Sequence, residues 1–383
     1  MWALEPETHH LNHGSFGAVL DEVLDLQSEW RKRLEANPSK FVFRDLQPAI
    51  DRARDALAEF VGADPALLVP VRNATTGVAS VLRSVEPLLG PGDQLLTTAH
   101  DYNAVRQSLR FTAERVGAEV VVARVPFPIE DPTQVTEAIV AEVTPRTKLA
   151  VIDHVASPSA LIYPIGEIVS ALEPEVPVLV DGAHSPGQVP LAIDELGASW
   201  YTGNLHKWVC APKGAAFLHA RADRVGMTVP PVISHGYNAP VEGPKGRYRV
   251  VFDWLGTDDV SAWAVLPDVL RLVGGLETGG WDGVMKRNHD LILEGRRIVA
   301  GAVGTDLPAP DGMVGAMASV LLPDRAGSDP GSDLSPVMDE LFDGGFVALV
   351  MNWPEWPRQL LRLSAHLYNT PDDYRALAEV LRT

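Results

Sequence analysis

The sequence predicts an α/β protein, with a large, mainly parallel sheet covered by helices on both faces and a smaller α+β domain at the C-terminus. Three observations carry this expectation. Short, β-branched apolar runs alternate with helix-compatible stretches through the first half of the chain, the pattern of strands buried on both faces. The character of the chain changes after Trp254-Leu255-Gly256-Thr257, where a long helical region precedes further strand candidates. The length of 383 residues, 46% of them hydrophobic and 21% charged, is ample for two domains with substantial cores.

Taken in order, residues 20–60 carry helical periodicity with many charges, broken at Asn37-Pro38. Strand candidates follow at residues 67–71, 94–96, 119–122, 149–152 and 178–180, separated by turn residues and helix-compatible segments. Residues 260–301 read as largely helical, and later strand candidates fall at 318–322, 346–350 and 360–363. Between the first two of these lies a Gly, Ser, Asp and Pro-rich stretch from Asp324 to Ser335, expected to be a surface loop running into a helix. The expected divisions are an N-terminal segment, residues 1–20, packing near the active site, a large domain over 21–259 and a small domain over 260–383. No internal repeat interrupts this plan.

The formal charge of −18 argues against nonspecific nucleic-acid binding, because a phosphate backbone would be repelled. The densest basic cluster, Arg31-Lys32-Arg33, reads as a solvated helix face. The N-terminus has no basic segment followed by an apolar stretch, and no run is long enough to span a bilayer, so a cytoplasmic protein is expected. One cysteine, Cys210, allows no intrachain disulfide and no multi-cysteine metal site.

The residues that carry chemistry centre on Lys207, in Tyr201-Thr202-Gly203-Asn204-Leu205-His206-Lys207-Trp208, downstream of an apolar run ending in Asp181-Gly182-Ala183-His184. A lysine beyond one strand and an acid ending another is the arrangement that holds pyridoxal phosphate: the amine forms a Schiff base with the aldehyde, and the carboxylate keeps the pyridine nitrogen protonated. No other lysine has such a setting. The apolar residues after Lys207 would lower its hold on its proton. On these residues alone a structural lysine is an equal alternative. Asn73-Ala74-Thr75-Thr76-Gly77, before a helical stretch at residues 78–85, suits a phosphate at a helix N-terminus, although ordinary capping is the commoner use of such residues. His184 stands three residues after Asp181, so that both could face one ring; a histidine bonded to a loop carbonyl is the bland reading.

Together these motifs are specific. With Leu11-Asn12-His13-Gly14-Ser15-Phe16-Gly17, His154-Val155-Ala156-Ser157-Pro158, Gly256-Thr257 and Arg362-Leu363-Ser364-Ala365-His366-Leu367-Tyr368-Asn369-Thr370, the chain resembles the isopenicillin N epimerase-like subgroup of class V, fold type I pyridoxal-phosphate enzymes, which is related to the cysteine desulfurases. The resemblance spans nearly the whole chain. It implies that residues 21–259 bind pyridoxal phosphate, that Lys207 carries it, that Asp181 pairs with the ring nitrogen and that His184 sits near the ring oxygen. Ala74, Thr75, Thr76, Ser157, Thr202 and His206 would complete the cofactor site. Thr257 would reach the phosphate of a neighbouring subunit, which implies a homodimer with shared active sites.

Arg362 matches the arginine that holds the substrate α-carboxylate, a task its planar fork suits, and Asn12 and His13 would join it. Either Tyr102 or His100 would cover the ring, with Tyr102 favoured. Arg44 is a further candidate for the substrate pocket, where it would favour an acidic distal group; a helix-surface arginine is the alternative. Cys210 stands too close to Lys207 to serve as a mobile persulfide cysteine. The implied activity is amino-acid epimerisation in specialised metabolism such as antibiotic biosynthesis, with Lys207 removing the Cα proton and Tyr102 or His100 acting on the other face. The alternatives on the same fold are a C–S or C–Se β-lyase, a decarboxylase-oxidase and an aminotransferase. A regulator without turnover is disfavoured, since no DNA-binding module remains outside the two domains.

Overall fold

Neighbouring residues of the central strands point to opposite sides, and both sides are apolar. In the computed structural model, which describes residues 1–241, 243–323, 335–354 and 357–382, Leu96, Ala150, Ile152, Val178 and Val180 enter one core, while Leu95, Leu149, Val151 and Leu179 enter another. A strand buried on both faces cannot alternate apolar with polar, which is why these runs read as continuous.

The strands in chain order are β1 (His9–His10), β2 (Leu68–Val71), β3 (Gln94–Thr98), β4 (Glu119–Ala123), β5 (Thr147–Asp153), β6 (Val178–Asp181), β7 (Trp200–Asn204) and β8 (Ala216–Ala220). Strands β2 to β8 form one seven-stranded sheet in the order β2-β8-β7-β6-β5-β3-β4. Strand β8 runs antiparallel to both its neighbours, and every other pairing is parallel. The five strands read from the sequence are all present, and β7 and β8 are additional. Strand β7 escaped the pattern because it ends in Gly203-Asn204, residues typical of turns. Glycine is required there: a Cβ on Gly203 would lie 2.7 Å from the Phe217 ring and 2.8 Å from Pro186.

The helical region near the N-terminus comprises Asp21–Ala36 and Leu46–Val61, and Asn37 caps the short turn between them through the Lys40 N–H. Toward the C-terminus, β9 (Met317–Leu322), β10 (Phe346–Val347), β11 (Leu349–Asn352) and β12 (Gln359–Ser364) follow the long helix Gly280–Val303. Strands β11, β12 and β9 make an antiparallel sheet, with β12 in the centre. The single strand expected at 346–350 divides at Ala348, because β10 pairs instead with β1 of the N-terminal segment. The expected loop from Asp324 lies, up to residue 334, outside the described residues.

Packing draws a different domain limit from the sequence. Residues such as Trp263, Leu266 and Val273 belong to the first core, and the small core begins with the helix Gly280–Val303. A limit near residues 275–279 follows the side chains more closely than one at 259/260. Leu11 packs into the small core while Val19 and Leu20 pack into the large one, so the first segment straddles both. Among the described residues, no helix is long and apolar enough to cross a membrane.

Candidate active site

Ligands of open α/β sheets gather beyond the carboxyl ends of parallel strands, and here those ends carry the ionisable groups. Asp153 ends β5, Asp181 ends β6, and the two are register partners, with Thr202 of β7 next in line. Lys207 follows β7 in a tight turn, in which the Leu205 N–H donates to the Ala215 carbonyl at 3.0 Å and the Cys210 N–H to the Lys207 carbonyl at 2.9 Å. The turn is braced from behind by the N-terminal motif. Gly17 has φ +70°, and a Cβ there would lie 2.0 Å from the His206 carbonyl oxygen, so only glycine allows that approach.

Lys207 Nζ lies 3.0 Å from His184 Nε2. Asp181 is buried and accepts the Ala183 N–H at 2.9 Å. Alternation along β12 sends Leu361 and Leu363 into the small core and turns Arg362 toward the large sheet. Its guanidinium donates to the Ser157 carbonyl at 2.8 Å and the Ser157 hydroxyl at 3.1 Å, and to Asn12 Oδ1 at 3.2 Å and Ser15 Oγ at 2.7 Å. All four acceptors are neutral. Lys207, His184, Tyr102, Ser157, Ser15 and Arg362 line a cavity of about 490 Å³. A larger cleft, about 810 Å³, is lined by His154, Glu173, Tyr201 and Arg221 among others and holds neither Lys207 nor Asp181.

Burial and the nearby Arg362 push the Lys207 amine down to about 7, with Asp181 and Asp153 opposing them. Burial, then Lys207 and Arg362, holds His184 well below the usual imidazole range, so its ring stays neutral. Only the neutral amine attacks an aldehyde. The cofactor-free protein should therefore take up pyridoxal phosphate at a rate that rises through about pH 7 and levels off above it, read from the gain in visible absorbance. A rate still climbing toward pH 10 would show an ordinary exposed lysine.

The structure brings some of the expected residues together and separates others. Tyr102 lines the cavity and is half-exposed. His100 is turned into the interior: Nδ1 lies 2.9 Å from Ser159 Oγ and Nε2 3.2 Å from the Val125 carbonyl. Asn12 and Ser157 hold Arg362. His13 lies behind the lysine. Its Nε2 faces the Lys207 carbonyl at 3.1 Å, so that nitrogen carries the proton, and Nδ1 accepts from the Tyr368 hydroxyl at 2.9 Å.

At the other end, Asn73 caps the helix Ala74–Val85 through the Thr76 N–H, while Asn204 Oδ1 takes the Ala74 N–H at 2.8 Å. These two amides are thus already engaged, and Thr75 stands half-buried between them. The Thr202 hydroxyl donates to the Phe217 carbonyl at 2.8 Å, packed beneath Gly77, because β7 turns that side chain inward. His206 is half-buried, with Nδ1 on the Ala215 carbonyl. Thr257 and Arg44 are exposed, and neither lines the cavity of its own chain.

Three residues of the site were missed. Ser15 bridges Asn12 and Arg362. Asp101 is buried beyond β3, where Thr97 donates to it at 2.7 Å. Asp153 carried a usable signal, since it closes an apolar run just as Asp181 does. Cys210, His13 and His366 bring their potential metal-ligand atoms within 4.8 Å of one another. The two rings are stacked at 4.0 Å and 15°, so their lone pairs lie in nearly parallel planes, and the His13 Nε2 proton leaves no lone pair there. The cluster is packing around the lysine turn.

The aminotransferase class-V family model matches residues 18–377. The chain belongs to this family. A putative L-cysteine desulfhydrase 1 from Oryza sativa subsp. japonica is 33% identical over 406 residues, covering 97% of this chain and 82% of that protein. An isopenicillin N epimerase from Amycolatopsis lactamdurans is 33% identical over 393 residues, covering 99% of this chain and 96% of that protein. Among solved structures, the cystine C-S lyase C-DES in complex with cysteine persulfide matches with a TM-score of 0.81 and 20% identity, over 98% of both chains. The α/β fold is shared with that lyase. The residues also fit pyridoxal phosphate, the cofactor of the family: a lysine of lowered basicity and a buried arginine line one cavity, Asp181 is buried at the end of the neighbouring strand, and the buried His184 Nδ1 has no hydrogen-bond partner among the described residues.

Proposed function

We propose that the protein is a pyridoxal-phosphate-dependent enzyme that acts at the Cα of an amino acid, and that its reaction is epimerisation. The observation that carries the reading is Arg362. It is 2% exposed, lines the same cavity as Lys207, and has no carboxylate within 4.0 Å among the described residues. A buried charge without a counter-ion is costly, and an amino-acid carboxylate would supply one in a bidentate grip.

Pyridoxal phosphate bound there supplies an electron sink for the pair left when a bond to Cα breaks. Lys207 would carry it and, once displaced by the substrate amine, remove the Cα proton; its lowered basicity keeps the amine available near neutrality. Asp181 would hold the proton at the ring nitrogen. His184, neutral and bonded to Lys207 Nζ, orients the amine. Arg362, braced by Ser15, Asn12 and Ser157, fixes the carboxylate and so the direction of the Cα bond to be broken. Thr75 and His206 are the remaining candidates for the phosphate end. In the homodimer we propose, Thr257 would serve the partner's site.

Tyr102, which lines the cavity, supports epimerisation, because a two-base reaction uses a second proton carrier across from Lys207. The β-lyase reading also stands, because the desulfhydrase relative matches the chain at the same identity as the epimerase; that reaction needs only one base. Offered amino acids in deuterated water, an epimerase exchanges Cα hydrogen and interconverts enantiomers, whereas a lyase releases keto acid, ammonia and either hydrogen sulfide from cysteine or a thiol from an S-substituted cysteine. Release of hydrogen sulfide from cysteine without enantiomer exchange from any substrate would reject epimerisation. Tyr102→Phe should keep cofactor binding and deuterium entry into one enantiomer, while conversion to the other falls about 10²-fold or more. Equal loss of exchange and conversion would give Tyr102 a positioning role only.

A further inference from the structure

The sheet places two carboxyls side by side where one is expected. Asp153 and Asp181 end adjacent parallel strands as register partners, so their side chains leave the same face of the sheet at the same level. Asp153 is 5% exposed, and its Oδ2 is buried without a hydrogen-bond partner among the described residues. Its neighbours differ in this respect. Asp181 accepts the Ala183 N–H, and Asp101 accepts the Thr97 hydroxyl.

We propose that Asp153 keeps its proton in the loaded enzyme and thereby leaves Asp181 as the single carboxylate at the cofactor's ring nitrogen. The inference rests on the reading of Asp181 as the ring partner. Two adjacent buried carboxyls cannot both ionise cheaply, and the pair titrates as a unit. The proton goes to the member whose charged form has least support, and Asp153, with no donor to Oδ2, is that member. Burial raises the Asp181 carboxyl too, but the Ala183 N–H and Lys207 hold it down, so Asp181 is the member that stays ionised, as a protonated ring nitrogen requires. Asp153 is a positioning residue in this scheme, acting on the ring only through the charge of Asp181.

The charged surroundings agree. Asp101 beyond β3 and Asp181 on β6 press the Asp153 carboxyl well above the usual range, after burial itself, while Lys207 beyond β7 and Arg106 on the helix Asn103–Val116 oppose them weakly. Tyr163 also faces Asp153. A raised folded-state value means that the proton proposed on Asp153 is lost only as pH rises. Its loss would put a second negative charge beside the ring and perturb the cofactor's absorbance.

The test uses the purified holoenzyme with isotope-labelled aspartate. Infrared spectra at neutral pH should show a protonated carboxyl that loses intensity in Asp153→Asn. Absorbance of the bound cofactor should show an alkaline step in the native enzyme that Asp153→Asn lacks, since an amide mimics the protonated acid at every pH. An undiminished infrared band, or an alkaline step unmoved in the variant, overturns the proposal. So does a native holoenzyme with no protonated carboxyl at neutral pH, which needs no variant to fold. Asp181→Asn separates the two levels of the argument. A changed cofactor spectrum in Asp181→Asn with the alkaline step retained in Asp153→Asn rejects Asp153 alone; an unchanged spectrum in Asp181→Asn rejects the ring-partner reading and the Asp153 proposal with it.

Discussion

Lys207→Ala should yield a folded protein in which borohydride no longer fixes the cofactor to the chain and turnover falls by about 10³-fold or more, the scale set by losing a positioned base. Folding should survive because Nζ reaches into a cavity rather than a packed core, and its one hydrogen-bond partner among the described residues is His184. The turn itself is held by main-chain bonds of Leu205, Cys210 and Ala211, which alanine leaves in place. Among the described residues, no other lysine is placed to substitute. Lys213, six residues on, is exposed and donates to the Gly17 carbonyl at 2.9 Å. Reduction followed by peptide mapping checks this, and a fully occupied label on a different lysine would end the assignment of Lys207.

Asp181→Ala should keep the covalent link, which Lys207 makes independently, but cost turnover about 10²–10⁴-fold. That range corresponds to about 3–5 kcal/mol for breaking a buried charge pair by removing one partner. Substrate affinity should change much less, since Arg362 and its supports Ser15, Asn12 and Ser157 lie on other elements. The kinetic signature is a fall in kcat with KM nearly preserved. Turnover near the native value would mean that Asp181 does not face the ring.

Much of the site was legible because its parts are motif-bound. Lys207, Asp181, His184 and Arg362 each stand in a short run of unusual residues, and three of them mark the end of a strand or the turn beyond it. Tyr102 was separable from His100 only in three dimensions. The two are two residues apart in a turn, and their directions depend on how the chain enters the helix Asn103–Val116; His100 is fixed by Ser159 and Val125, remote in sequence. Thr202 looked available for a phosphate because a hydroxyl before a lysine gives no hint of the Phe217 carbonyl across the strand pair.

The sequence by itself determined the class of fold and the alternation of strands with helices, and it singled out the lysine, acid and arginine proposed for the site. Local patterning suffices for these, since a strand buried on both faces must be apolar throughout and the residues just beyond it are free to be polar. The tertiary structure decided what depends on strand order and packing between segments far apart in sequence. It paired Asp153 with Asp181, bound the N-terminal segment to β10, and set Ser15 and Asn12 against Arg362 across nearly the whole length of the chain. Such contacts depend on the order in which strands lie in the sheet, and residue spacing along the chain does not encode that order.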